Sequence, residues 1–389
     1  FATPLVGLGY EMTPDYNERT RLMAFANTIG QIAWMIVPWF WVIIADPQVY
    51  AAQDVGVREM SITVGAICIV LGILPAIFCK GIDASKMENR KEINFRTLKK
   101  NLAELWEGIK MVFKNKPFVK LCGATFLVFN GFQMVAAFSV YIIVFYMFNG
   151  SYENAGTWPA WFSTITAVMT AFVVIPIVSW LANTFGKRQA FIISTTLSIV
   201  GYILKWWGFS NELNAEFNET QLAGFLNSVV GSIFEFLDPM LESIGMTWFS
   251  IDASAGAPWL IFLPIPFMAF GLGGLFTLMM SMTADVCDLD ELENGMPRKE
   301  GTYGAIYWWM VKIGQSVALF LGGLVLRLVG FISDAPTQTA ETMFSLRIAD
   351  IIIPSVTAAI AIWIMYSYSL TEERARKIKE ELEARRGEL

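Results

Sequence analysis

Long apolar blocks cut by short charged stretches run the length of this chain, and no single motif limits its fold as strongly. Crossing a ~30 Å hydrocarbon layer takes ~20 consecutive, mostly apolar residues. Eight blocks reach that length, at approximately 22–45, 60–79, 121–147, 158–182, 190–208, 258–284, 303–326 and 350–369. The expected fold class is therefore an all-α membrane protein. Composition agrees: 55% of residues are hydrophobic and only 16% are charged, against ~25% charged in a typical soluble domain. Phe1–Met12 is also apolar, but it would rise only ~18 Å as a helix. It reads as the end of a ninth membrane helix, with the chain starting inside it. It has no basic leader or small-residue cleavage site of a signal peptide.

Basic residues set the expected orientation. The connections at 13–21, 80–120, 183–189, 285–302 and 370–389 hold 23 of the 28 Lys and Arg residues. Only Arg58, Lys205, Lys312, Arg327 and Arg347 lie elsewhere, and none occurs from Trp206 to Pro297. The basic loops and the C-terminus are thus expected in the cytoplasm. Leu222–Met240 is moderately apolar but carries Glu235 and Asp238. If it crossed, the Arg298–Lys299 loop would move outside. Residues 209–257 are therefore read as an acidic outer loop with an amphipathic helix resting on the membrane face.

The longest inner connection is 81–117. Phe95, Leu98, Leu102, Leu105, Ile109 and Val112 recur there every three or four residues, with Lys and Glu on the other faces. This is the pattern of an amphipathic helix beneath a bundle. Its basic face fits anionic lipid headgroups rather than nucleic acid. The expected organisation is a front-bundle remainder at 1–80, a cytoplasmic linker at 81–117, a six-span back bundle at 118–370 and a tail at 371–389.

Several function classes are excluded by residues the chain lacks. It has no histidine, the usual near-neutral proton carrier and commonest metal ligand. No H-E-x-x-H, phosphate-binding G-x-x-x-x-G-K-[ST] loop or paired intramembrane carboxylates appear. Cys68, Cys79, Cys122 and Cys287 are far apart in sequence and suggest neither a disulfide framework nor a metal site. An enzyme, a nucleotide-driven pump and a resident cofactor are not expected. Secondary transport is the leading reading, with a receptor or an amphipathic-solute carrier as rivals.

Lys312 is the sharpest single signal. It lies within ~5 Å of the midpoint of its block, where an ammonium costs ~3 kcal/mol to insert. It needs a watery cavity or a carboxylate, and no other block offers a carboxylate at similar depth. Its partner is expected beyond this chain. Trp308 precedes it by four residues, on the same helix face. Asn27 and Gln31 are four apart and Asn130 and Gln133 three apart. Each amide pair suits either a polar cavity or an interhelical hydrogen bond. Lys205, beside Trp206 and Trp207, reads as an interfacial anchor. On the cytoplasmic side Asp15, Glu18, Arg19, Lys187, Arg188, Asp285, Asp288, Glu291, Arg298 and Glu300 form opposite charges that can pair across a closing seam between bundles. Weak, breakable pairs suit a gate.

Two stretches carry a family resemblance. PLVGLGYEMTPDYNERTRL at 4–22 resembles the end of the fourth helix and the next loop of the glycoside–pentoside–hexuronide:cation symporters, with Gly7 where Ala is usual. ADVCDLDELENGMPRKEGTYGAIYWWMVKIGQSVALFLGG at 284–323 resembles their tenth-to-eleventh helix junction. The resemblance covers essentially the whole chain. It implies a major facilitator bundle of twelve helices, of which eight and the end of a ninth are present. It also implies sodium- or proton-coupled import of a sugar, glycoside or uronide through a bacterial inner membrane. The partners implied are that solute, the coupling cation and the bilayer. In this family acidic residues of the first two helices form the cation site and meet the lysine at the Lys312 position. Against the melibiose-permease pattern, Asn27 replaces a sugar-contacting arginine, Ala2 an aspartate and Phe276 a tryptophan. The pocket therefore differs where the framework persists.

Overall fold

The computed structural model describes residues 16–386 apart from 47–48, 79–105, 107–109, 111, 244, 255, 296–299 and 334. Every regular element among the described residues is helical. Helices α1 (Tyr16–Ala45) and α2 (Gln53–Phe78) come first. Then follow α3 (Lys116–Met147), α4 (Tyr152–Phe185) and α5 (Lys187–Gly208). The short α6 (Asn211–Asn218) and α7 (Gln221–Ser243) come next. They lead into α8 (Trp259–Asn294), α9 (Glu300–Leu328), α10 (Ala340–Tyr366) and α11 (Glu372–Arg386). Among the described residues 8 helices are long and apolar enough to cross a membrane, α1–α5 and α8–α10. They coincide with the eight apolar blocks. This is an integral membrane protein.

Segment 209–257 is more ordered than a loop. It holds α6 and α7, and α7 is not among the spanning helices. Leu222, Phe225, Val229, Ile233, Phe236 and Met240 recur along α7 every three or four residues and are all exposed. That stripe fits the expected helix on a membrane face. The expected linker helix at 81–117 falls largely outside the described residues. Near its end Val112 is fully buried, on the apolar face read from the sequence.

Two of the spans that run further than their apolar blocks carry buried charges in the added turns. Helix α8 continues through Asp285 to Asn294, where a loop was expected, and α10 begins at Ala340, well before 350. In both, charged side chains are buried rather than ending the helix: Asp285, Asp290 and Glu291 on α8, Arg347 and Asp350 on α10. Paired charges do not terminate a buried helix, so composition alone places the ends too early.

The helices after residue 115 form one packed group. Helix α3 packs on α9 and α10, and α5 packs on α8 and α10. Helix α1 leans on this group through α4 and α8, and carries α2 with it. One core, with Phe118, Phe191, Leu278 and Tyr307, fills the end near the basic loops. A second, with Phe138, Trp158, Phe162 and Tyr202, fills the other end. Lipid is as apolar as these side chains, so close packing rather than water exclusion favours association. Gly201 shows how close: a Cβ there would lie 2.6 Å from Cα of Met268 on α8. Gly186, at φ +80, makes the tight turn between α4 and α5, a conformation glycine adopts without strain.

A seam cavity between helix α1 and the packed helices

At the seam between α1 and α8 three polar side chains form a relay. Asn27 Nδ2 donates to Thr277 Oγ1 at 3.1 Å, and Gln31 Nε2 donates to Asn27 Oδ1 at 3.2 Å. The four-residue spacing on α1 places the two amides in line. Gln31 is 1% exposed and its Oε1 has no partner among the described residues. A buried amide oxygen without a hydrogen bond costs ~1–3 kcal/mol.

Gln31 lies in the wall of a narrow cavity, together with Trp34, Ser139, Phe162, Thr170 and Leu272. The wall comes from α1, α3, α4 and α8. Its hydroxyls mostly turn back on their own helices. Ser139 Oγ donates to Val135 O at 2.7 Å, and Thr166 Oγ1 to Phe162 O at 2.7 Å. They keep acceptor capacity toward the cavity, but the remaining wall is apolar. Thr170 opens a π-helical stretch, Thr170–Val174, inside α4, the kind of local widening that recurs at functional sites.

The other expected site residues divide. Asn130 Nδ2 donates to Gly314 O at 3.2 Å and is buried, so this amide ties α3 to α9 rather than lining a cavity. Gln133 is half-buried on α3. Phe276 stacks on Trp308 at 6.0 Å and 18°, and meets Phe129 edge-on at 5.7 Å. Trp308 Nε1 is buried and has no partner among the described residues. Lys312 lies on α9 between Val311 of one core and Ala318 of the other, consistent with mid-membrane depth. It is on the exposed face of α9. Among the described residues its amine has one partner, Oε1 of Gln315 at 3.4 Å.

The basic end differs from the expected seam gate. Lys187 Nζ is 2.8 Å from both oxygens of Asp285, and the side chains are 6% and 8% exposed. The pair joins α5 to α8 within the packed group instead of bridging the seam, and it is buried rather than wet. Arg188 donates to the carbonyl of Tyr366 at 2.7 Å, again within that group. Burial, followed by the negative charge of Asp285, pushes the Tyr368 phenol well above its ordinary value. Asp288 is half-buried on α8. Asp15 and Arg298 lie outside the described residues, as do the side chains of Glu18, Arg19 and Glu300.

A second buried charge cluster was not expected. Lys205 pairs with Asp350 of α10, donates to Ser139 Oγ at 2.9 Å and stands 5.1 Å from the Phe209 ring. It is 2% exposed, so it is not an interfacial anchor. Arg347, one turn from Asp350, lies over Trp206 at 4.4 Å and Tyr146 at 4.3 Å, and donates to Trp206 O at 2.7 Å. Trp206 thus serves a buried cation rather than a belt alone.

Comparison with known proteins agrees with this architecture. A symporter of unassigned solute from Synechocystis is 25% identical over 98% of this chain and 74% of its own length. An Escherichia coli protein named as a putative sulfoquinovose importer is 24% identical over 73% of this chain and 50% of its own. A zebrafish sodium-dependent lysophosphatidylcholine symporter is 23% identical over 85% of this chain and 52% of its own. The chain thus spans about half the length of the latter two. The family model described as MFS/sugar transport protein matches residues 1–372. The chain therefore belongs to the MFS/sugar transport family, a family of transporters rather than enzymes.

Proposed function

We propose that the protein is a secondary transporter that moves a sugar, glycoside or uronide together with Na⁺ or H⁺ by alternating access. The observation that carries this reading is the seam cavity with the carbonyl of buried Gln31 in its wall, which has no partner among the described residues. A solute hydroxyl donating to that oxygen would remove its desolvation cost. Asn27 and Thr277 hold the amide in place. The division at the linker makes α1 and α2 part of a front bundle and α3–α10 the back bundle, with solute between them. Lys312 is assigned to the cation pathway, and Trp308 with Phe276 to an aromatic wall beside it. The basic loops and the C-terminus face the cytoplasm, in a bacterial inner membrane.

A second reading has its own support. The cavity wall is mostly apolar, with Trp34, Phe132, Ile143, Phe162, Met268 and Leu272. Such a wall favours a solute with a hydrocarbon part, and one relative is named for lysophosphatidylcholine. Both readings are separated by one experiment. The full chain in proteoliposomes is given radiolabelled sugars, glycosides, uronides or lysophospholipid, with and without a Na⁺ or H⁺ gradient. Gradient-dependent sugar uptake, lost in Gln31→Ala, is expected. Uptake of lysophospholipid alone selects the second reading. Uptake of nothing in the panel refutes both.

A further inference from the structure

Three separate pieces of chain meet at the end of the cavity away from the basic loops. Trp39 of α1 is 4% exposed. Its ring meets Trp161 of α4 at 5.1 Å, Trp248 at 5.7 Å and Phe249 at 4.7 Å. Trp161 also meets Phe249 at 5.1 Å and Phe234 of α7 at 5.8 Å. Hydrogen bonds fix the arrangement. Trp39 Nε1 donates to Thr164 Oγ1 at 2.9 Å, and that hydroxyl donates to Met35 O at 3.1 Å, tying α1 to α4. Trp161 Nε1 and Thr157 Oγ1 both donate to Ser250 O, at 2.8 and 2.7 Å, tying the loop after α7 to α4.

The cluster flanks the outer part of the cavity. Gln31 and Trp34 in the wall lie eight and five residues before Trp39, ~12 and ~8 Å along α1. On α4, which runs the other way, the wall extends from Pro159, two residues before Trp161, through Phe162, Ser163 and Thr166 to Thr170. The rings therefore bridge α1 and α4 beside the outer part of the cavity.

We propose that segment 209–257 is the outer gate of the cavity, with Trp248 and Phe249 as a hook that latches α1 to α4. This inference rests on the transport reading above. Each ring pair contributes little by itself, so the latch is breakable in every cycle. The hook lies in a loop, outside α1 and α4, so it can leave without unfolding either helix.

The test uses the full chain in proteoliposomes with the four native cysteines replaced. Ser163→Cys in the cavity wall is the reporter. A membrane-impermeant maleimide is added on the outer side. Trp248→Ala/Phe249→Ala, which leaves both helices unchanged, should raise the labelling rate at least tenfold, and Trp39→Ala should do the same. An unchanged rate in the hook variant, at an unchanged melting temperature, overturns the gate. Labelling needs no solute, so failure of the uptake panel bears on the transport reading separately.

Discussion

Removing Asp350 tests whether the Lys205 cluster is a closed electrostatic unit. Lys205 and Asp350 are each 2% exposed. In Asp350→Ala the ammonium keeps Ser139 at 2.9 Å and the Phe209 ring at 5.1 Å. Both contacts already exist in the native protein, so neither offsets the lost carboxylate. The variant therefore bears the cost of a buried, unpaired charge, about 3–5 kcal/mol. At about 2–4 °C per kcal/mol for a body of this size, the melting temperature should fall by roughly 6–20 °C. Lys205→Met leaves Asp350 with Arg347 one turn away and should cost somewhat less. The double variant Lys205→Met/Asp350→Leu removes both charges and keeps the volume. It should return to within about 1–2 kcal/mol of the native protein, because apolar replacement of a buried pair is often neutral. Melting is followed by intrinsic fluorescence in detergent micelles, with all variants at one protein concentration. If the double variant loses as much as the two single variants added together, the residues are not coupled and the cluster is wrongly described.

Further outcomes follow from the packing and the site. Lys187→Met should destabilise by up to about 3–5 kcal/mol by taking from buried Asp285 its lysine, and Lys187→Met/Asp285→Leu should recover most of it in the same melting assay. Gly201→Ala should cost about 1–3 kcal/mol by overpacking α5 against α8, while Gly224→Ala on α7, with nothing within 4 Å of the added carbon, should cost nothing measurable. Lys312→Met should abolish gradient-driven uptake and leave membrane insertion, followed by a C-terminal fluorescent fusion, intact. Asn27→Ala should weaken solute binding about tenfold or less, the effect of one neutral hydrogen bond, measured by solute-induced thermal shift.

Spans were legible in the sequence because bilayer thickness dictates their length, and an apolar run of that size leaves little choice. Charges inside spans were less legible. Asp350 stood at the very start of the block read as 350–369, and so passed for a boundary residue. Its partner Lys205 stood beside two tryptophans and passed for an anchor. A signal was available: Arg347 and Asp350 occur three residues apart before an uninterrupted apolar run, and intramembrane charges at that spacing ask for partners. The amide pairs show the same limit. Helical spacing of three or four brought Gln31 to a cavity and Asn130 to a backbone carbonyl, because spacing sets the face of a helix and not what lies opposite. Trp248 and Phe249 had no periodicity to read, and their target Trp39 belongs to a distant part of the chain.

The strengths of these contacts bear on how the molecule would move. Inside the α3–α10 group, two buried ion pairs bind α5 to α8 and α10, and breaking either costs several kcal/mol. Gly201 lets α5 and α8 approach to backbone distance, which a rigid pair of helices needs. Across the seam, α1 is held by the Asn27–Thr277 amide contact, the Trp39–Thr164 bond and a set of ring pairs. Neutral hydrogen bonds and ring pairs are each worth about 0.5–1.5 kcal/mol. They can also be exchanged one at a time for contacts with solute or water. A cycle that separates surfaces will part them where each step is small. The cavity lies on that line, with Gln31 on one side and Thr170 on the other, so opening the seam exposes the site without disturbing the charges that hold the packed helices together.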